Sequence, residues 1–233
     1  MGYVPWCFNL PDENKSVAWK YLNDEKYFYA PYGPTTAEQI CPDYMKSYDH
    51  ECLWNGPSWP FAASQTLTAL GNLLCNYNQT VMKKTDYYKL LKLYANSQYD
   101  KDEKGNRIPY VDEDLDPYTG KWIARSILRT MENPPGGDDR GAHYNHSTFC
   151  DLVISGLAGI RPREDGMLEI NPLFDECDMR YFAMEGILYH GKSIAIIWDR
   201  DGTQYGIGQG LHVYCDGVEK CACEKLDKIE ISL

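Results

Sequence analysis

The chain reads as mainly α first and β last, with the change of character near Arg161-Pro162. Three observations predict this. Leu67, Leu70, Leu73 and Leu74 fall on one face of a helical period. Tyr87, Leu90, Leu91 and Tyr94 repeat that pattern one element later. Beyond residue 162 the apolar residues instead alternate in short runs between Asp-Gly and Gly-rich turns, the signature of antiparallel sheet. The expected division is residues 1–162, helical, and residues 163–233, β.

Taken in order, residues 11–24 can hold a short helix capped by Asp12, with Val17, Trp19, Tyr21 and Leu22 as its apolar set. A long loop of Tyr, Pro and Gly follows and runs to Trp59-Pro60. Loops of that length inside compact domains are usually functional. The first clear helix is expected over residues 64–78 and the second over 86–98. Residues 101–106 form a turn, 110–120 an acidic loop, and Pro134-Pro135-Gly136-Gly137 breaks the chain. A third helix should start near Ser147, which is a good N-cap. Strands are expected around 168–170, 181–185, 193–198, 204–207, 211–214 and 229–231.

Composition narrows the function. The chain has 233 residues, enough for one large domain or a domain with a smaller companion. With 34 acidic against 23 basic residues, its formal net charge is −11. That field repels nucleic acid and anionic membrane surfaces, and it favours a neutral substrate. No apolar run approaches the roughly 18 residues of a membrane span. The start has no basic and apolar leader pattern. Tyr3, Val4, Pro5, Trp6 and Phe8 make an apolar strip that wants a partner, so sequence upstream is expected to be missing. Nine Cys, an odd number without framework spacing, read as reduced thiols, with a cytoplasmic location the expectation. Cys221 and Cys223 form a CxC pair with Cys215 nearby, but no second cluster completes a metal site. Neither a metal nor a cofactor is expected.

Two stretches carry chemistry. In Trp54-Asn55-Gly56-Pro57-Ser58-Trp59-Pro60, prolines restrain the backbone around two indoles. A flat apolar face beside the Asn55 amide is what a sugar subsite needs. In residues 110–120, Asp112, Glu113, Asp114 and Asp116 crowd four carboxylates into five positions. Crowding combined with desolvation raises a carboxyl pKa, one route to a general base.

The two stretches occur together and in order. Trp54 to Trp59 resembles the W-x-G-P-x-W segment of clan-G glycoside hydrolases, which include family 63 α-glucosidases and mannosylglycerate hydrolase-like enzymes. The family's E-N-x-D-P-x-T-G segment is matched by Glu113-Asp114-Leu115-Asp116-Pro117-Tyr118-Thr119-Gly120. The stretch from Arg140 through Tyr144, Asn145 and His146 to Asp151 is similar to the last toroid helix of the mannosylglycerate hydrolase-like group. The loop Tyr32-Gly33-Pro34-Thr35-Thr36-Ala37-Glu38 resembles the loop that borders the family's sugar site.

The resemblance implies part of an (α/α)6 toroid, as in six-hairpin glycosidases, followed by a small antiparallel β-domain. It implies an inverting, exo-acting α-glycosidase in which Glu113 is the general base. Trp54, Asn55, Trp59, Tyr32, Glu38, Tyr144 and His146 would then bind an oligosaccharide or glycoside substrate. The family's acid is an Asp with no counterpart here, and the chain has room for about half of the toroid. The partner implied is therefore the N-terminal half of that toroid. The alternative is a non-catalytic carbohydrate-binding or toroid-completing fragment.

Overall fold

The computed structural model describes residues 2–46, 50–144 and 147–233, apart from the side chain of His143. The chain divides into two compact units. One comprises residues 1–82 and 89–149, the other residues 83–88 and 150–233.

The first unit opens with two 3-10 turns, Val4–Phe8 and Glu13–Tyr21. The second stands where a short α-helix is expected over residues 11–24. Trp19 is fully buried and gathers the other rings. Tyr3 stacks on it at 4.2 Å and Trp6 meets it edge-on at 5.7 Å. Helix α1 (Pro60–Asn76) has Pro at its first position, where the missing N–H costs nothing. It buries Leu67, Leu70 and Leu73 completely. From α1 the Asn72 amide donates to the carbonyls of Trp6 and Cys7, both at 3.0 Å, which fastens the N-terminal turns to the helix.

Helix α2 (Lys84–Ser97) follows, and then the hairpin β1 (Tyr99–Lys101) and β2 (Arg107–Pro109). Asp102 closes the hairpin by accepting the N–H groups of Lys104 and Asn106. The expected turn is present there, although the strands beside it are too short for an alternating pattern to reveal. Helix α3 (Ile123–Leu128) and the 3-10 turn Arg140–His143 complete the elements of this unit.

The second unit is built on two antiparallel sheets. Helical residues Thr148–Asp151, α4, run on into a π-helical turn, Leu152–Leu157, where a regular third helix is expected. Gly156 lies in that turn, and a Cβ there would fall 1.8 Å from the Tyr87 hydroxyl. That hydroxyl donates to the Leu152 carbonyl at 2.8 Å. The widened turn and the missing side chain together admit the Tyr87 ring.

Strands β3 (Ile160–Arg161), β4 (Met167–Ile170) and β9 (Ile229–Ser232) form one sheet in the order β3-β4-β9. Strands β5 (Tyr181–Tyr189), β6 (Lys192–Asp199), β7 (Gly210–Cys215) and β8 (Val218–Cys223) form the other in sequence order. Ile194, Ile196 and Trp198 alternate into the core along β6, as the two-residue period of a strand requires. They meet Ile160, Leu168, Ile170, Phe174, Leu211 and Val213 in one cluster, with Ala158 of the preceding turn buried among them. Ile154 and Leu157 also pack against this cluster. That is why the residues before the change of character at Arg161-Pro162 group with the sheets.

Two further segments of this unit differ from the sequence expectation. Residues 204–207 form a loop, because the Asp199 carboxylate accepts the N–H groups of both Gln204 and Tyr205 and turns the backbone away from a ladder. Strand β8 is an additional edge strand, and its polar, exposed positions hide the alternation.

Gly159 has φ +77°, and a Cβ there would lie 2.1 Å from the Asn171 carbonyl carbon. Gly159→Ala combines positive-φ strain with a backbone clash, so a loss of at least ~2 kcal/mol is expected. Urea unfolding followed by tryptophan fluorescence checks this, and an unchanged midpoint would refute it.

Candidate active site

Four carboxylates in five residues cannot share one environment, and the fold gives each a different one. Asp112 is buried and paired with Arg125, Nε to Oδ2 at 2.8 Å. The Arg125 guanidinium also lies over the Tyr110 ring, 4.6 Å from its centroid. Asp112 Oδ1 accepts the N–H of Glu113 at 2.8 Å. Gly141 belongs to the turn that abuts this pair, where a Cβ would fall 1.7 Å from Asp112 Oδ1.

Asp114 is fully buried. It accepts N–H bonds from Ala124, at 3.1 Å, and from Leu53. Burial pushes its pKa up to about 8, and the charges of Glu113 and Asp112 add to the rise. Asp116 shapes the turn that follows by accepting the N–H groups of Tyr118 and Thr119. That turn ends at Gly120, with φ +72°. A Cβ at Gly120 would lie 2.4 Å from the Tyr32 ring, so the glycine makes room for Tyr32.

Glu113 is the carboxylate that still reaches solvent within Asp112–Asp114, its side chain 18% exposed. The Cys52 thiol donates to Glu113 Oε2 at 3.4 Å, and Arg140 Nη2 lies 3.6 Å from the same oxygen. Arg140 also reaches Glu51 Oε1 at 2.6 Å.

The acidic loop is stapled to the tryptophan loop. Leu115 and Ser58 exchange both backbone hydrogen bonds at 2.9 Å, and Leu115 also bridges to Trp122. On the tryptophan loop, buried Trp59 donates its indole N–H to the Leu53 carbonyl at 2.6 Å. Trp54 stacks on Trp59, with centroids 4.3 Å apart and planes 17° apart, and is itself 41% exposed. Trp59 in turn meets Tyr144 edge-on at 6.2 Å. The Tyr144 phenol is pushed far above its ordinary range, first by burial and then by the charge of Glu113. An aromatic series therefore runs from the exposed Trp54 face through Trp59 to Tyr144, whose phenol feels the charge of Glu113.

The other residues expected from sequence are placed less centrally. Tyr32 packs at Gly120, and its N–H donates to the Pro117 carbonyl at 3.0 Å, so it borders the acidic loop. The backbone carbonyl of Asn55 accepts from Met45 at 2.9 Å, which holds the tryptophan loop against its neighbour. Glu38 is exposed, and among the described residues no hydrogen bond or ion pair joins it to the Glu113 cluster. His146 lies outside the described residues. Sequence reasoning missed Glu51, Cys52 and Arg140 as neighbours of Glu113. The adjacency of Glu51-Cys52 to the tryptophan motif was the available signal for the first two. Arg140 comes from 27 positions downstream of Glu113, and although it opens the stretch that resembles the last toroid helix, nothing in the sequence links it to Glu113.

Asp114 generates a pH prediction. Its folded pKa of about 8 lies above the ~3.9 of an unfolded aspartate, so between those values the folded state holds the extra proton. The associated stability is complete below ~3.9 and is lost as pH rises through about 8. Asp114→Asn removes this dependence, so its urea midpoint should fall less than that of the unaltered protein between pH 5 and pH 8.5. Parallel profiles for the two proteins would show that Asp114 does not titrate in this way.

The chain is similar to known proteins in two respects. Residues 1–147 match the mannosylglycerate hydrolase MGH1-like glycoside hydrolase domain, a span that holds every residue of the Glu113 cluster. The chain is also similar to a solved sialidase structure, at 43% identity and a TM-score of 0.86. That match covers 99% of this chain but 20% of the sialidase chain, so the chain spans about a fifth of its length. With a matched region that exceeds half its residues, the chain belongs to the family of mannosylglycerate hydrolase MGH1-like glycoside hydrolase domains.

Proposed function

We propose that this chain carries the general-base side of an inverting, exo-acting α-glycosidase site, related to clan-G and family 63 enzymes. The observation that supports this most directly is the treatment of the crowded carboxylates. Asp112 and Asp114 are buried and hydrogen-bonded, while Glu113 keeps access to solvent. Beside it stands an aromatic series whose outer member, Trp54, offers an exposed ring.

In this mechanism Glu113 accepts a proton from water as that water attacks the anomeric carbon. Trp54 stacks on the sugar ring, with Trp59 setting the plane of the indole and Tyr144 lining the inner wall. Tyr32, Asn55, Glu38 and His146 complete the sugar pocket. An inverting pair needs its carboxyls roughly 6.5–9.5 Å apart to admit that water. Glu51 does not serve as the acid, because a backbone N–H and then Arg140 hold its carboxyl below the usual range and keep it ionised. The acid is an Asp on the part of an (α/α)6 toroid outside this chain, and that part is the partner this segment requires. A net charge of −11 favours a neutral glycoside over an anionic one.

Glu113→Gln tests the assignment in an enzyme that contains this segment together with the rest of the toroid. Turnover should fall by about a thousandfold with the fold retained. Trp54→Ala should raise KM by about tenfold with a smaller effect on kcat, as loss of a stacking face predicts. Following the anomer of the released sugar by NMR reads out inversion directly. Near-normal turnover in Glu113→Gln, or a retained anomer, would overturn the mechanism.

A further inference from the structure

Among the described residues, the Glu113 carboxylate is held from one side only. The Cys52 thiol and Arg140 Nη2 both approach Oε2, at 3.4 Å and 3.6 Å. Among the described residues, no hydrogen bond or ion pair engages Oε1. Arg140 is itself fixed on the turn Arg140–His143. Its Nη1 donates to the Pro135 carbonyl at 3.0 Å, and its Nη2 lies 2.6 Å from Glu51 Oε1 and 3.5 Å from Cys52 Sγ. Two carboxylates on one nitrogen would repel each other strongly without that cation. Glu51 takes the short, charge-assisted contact and anchors the guanidinium. Glu113 takes the longer one, at 3.6 Å.

We propose that Arg140, anchored by Glu51, is a positioning residue that clamps Glu113 through Oε2, with the Cys52 thiol as second holder, and leaves Oε1 as the atom that takes the proton. The assignment of Oε1 rests on the reading of Glu113 as the base, whereas the clamp itself does not. A glutamate has three side-chain torsions, and a loop alone would not hold it in one orientation. Two contacts on a single oxygen fix that orientation while keeping the other oxygen available to water.

Cys52 reports on the clamp without any need for turnover. Its thiol is pushed up to about 11, first by burial and then by the charge and hydrogen bond of Glu113, with Arg140 opposing and Glu51 adding a smaller rise. Among the described residues, Tyr144 and His50 are the other titratable groups beside it. Its charge reaches the Tyr144 phenol, and its N–H donates to His50 Nδ1 at 3.1 Å. The experiment is the rate of iodoacetamide alkylation at pH 8.5, read at the Cys52 peptide by mass spectrometry.

Glu113→Gln removes the neighbouring charge and should speed alkylation by about threefold, which is ~0.5 of a pH unit in the thiol titration. Arg140→Met should slow it by a similar factor, and Arg140→Lys should restore most of the rate. Glu51→Gln should speed it slightly. If Arg140 merely held the loop shut, Arg140→Met would expose Cys52 and speed alkylation, the opposite sign. That result, or no change in either Arg140→Met or Glu113→Gln, overturns the clamp. If the alkylation pattern holds but Glu113→Gln retains turnover in the longer enzyme, the clamp stands and the base assignment falls.

Discussion

The buried Asp112–Arg125 pair is the interaction on which the site depends. A carboxylate taken out of water is costly unless a cation and further hydrogen bonds accompany it. Here Arg125 comes from helix α3, whose own start supplies the Ala124 N–H to Asp114. A single short helix therefore satisfies two of the three consecutive acids. Once those two are committed inward, the residue between them has one direction left. Glu113 stands at a bend between them and is the one of the three that keeps access to solvent. The exposure of the one carboxylate follows from the burial of its neighbours.

That arrangement also ties the acidic loop to the aromatic platform. Asp114 accepts from the Leu53 N–H, and the Leu53 carbonyl accepts from Trp59. Leu115 pairs with Ser58 a few ångströms further along. Trp59 is thus held by the same backbone that orients Glu113, and Trp54 takes its plane from Trp59. The platform and the carboxylate are parts of one hydrogen-bonded assembly, so a distortion at either loop is transmitted to the other. Glycines permit the closeness at two points. Gly141 lets the turn bearing Arg140 reach Asp112, and Gly120 lets Tyr32 settle on the loop.

The second unit has a different economy of interactions. Its core is apolar, built from alternating residues of two antiparallel sheets with Trp198 at full burial. Polar groups enter it mainly as ties: Tyr87 to the Leu152 carbonyl and the Trp198 indole to the Met179 carbonyl. The π-helical turn before β3 belongs to this core because Ala158, Ile154 and Leu157 have their apolar partners there.

Much of this was legible in the sequence, and the reason is local. Helices α1 and α2 announce themselves by the spacing of Leu67, Leu70, Leu73, Tyr87, Leu91 and Tyr94, since one helical face must find apolar cover. Strands β4, β6 and β7 show the two-residue alternation of a half-buried sheet. The tryptophan and acidic motifs stand out because their residue types are chemically unusual together. What stayed hidden depends on distance in sequence. The loop at 204–207 is decided by one carboxylate, Asp199, and the edge strand β8 by pairing with β7 rather than by its own pattern. Within the site, sequence marked four acids but could not say which would remain exposed. That choice belongs to Arg125, Leu53 and Ala124, which reach the loop only after the chain has folded back on itself. The same holds for Arg140 and Glu51, separated by 89 positions and joined at 2.6 Å. Sequence determined the chemical groups and their periodicities because these are properties of neighbouring residues. Tertiary structure decided which charge is buried, which is paired and which is left exposed, because desolvation and Coulombic partners exist only once distant segments meet.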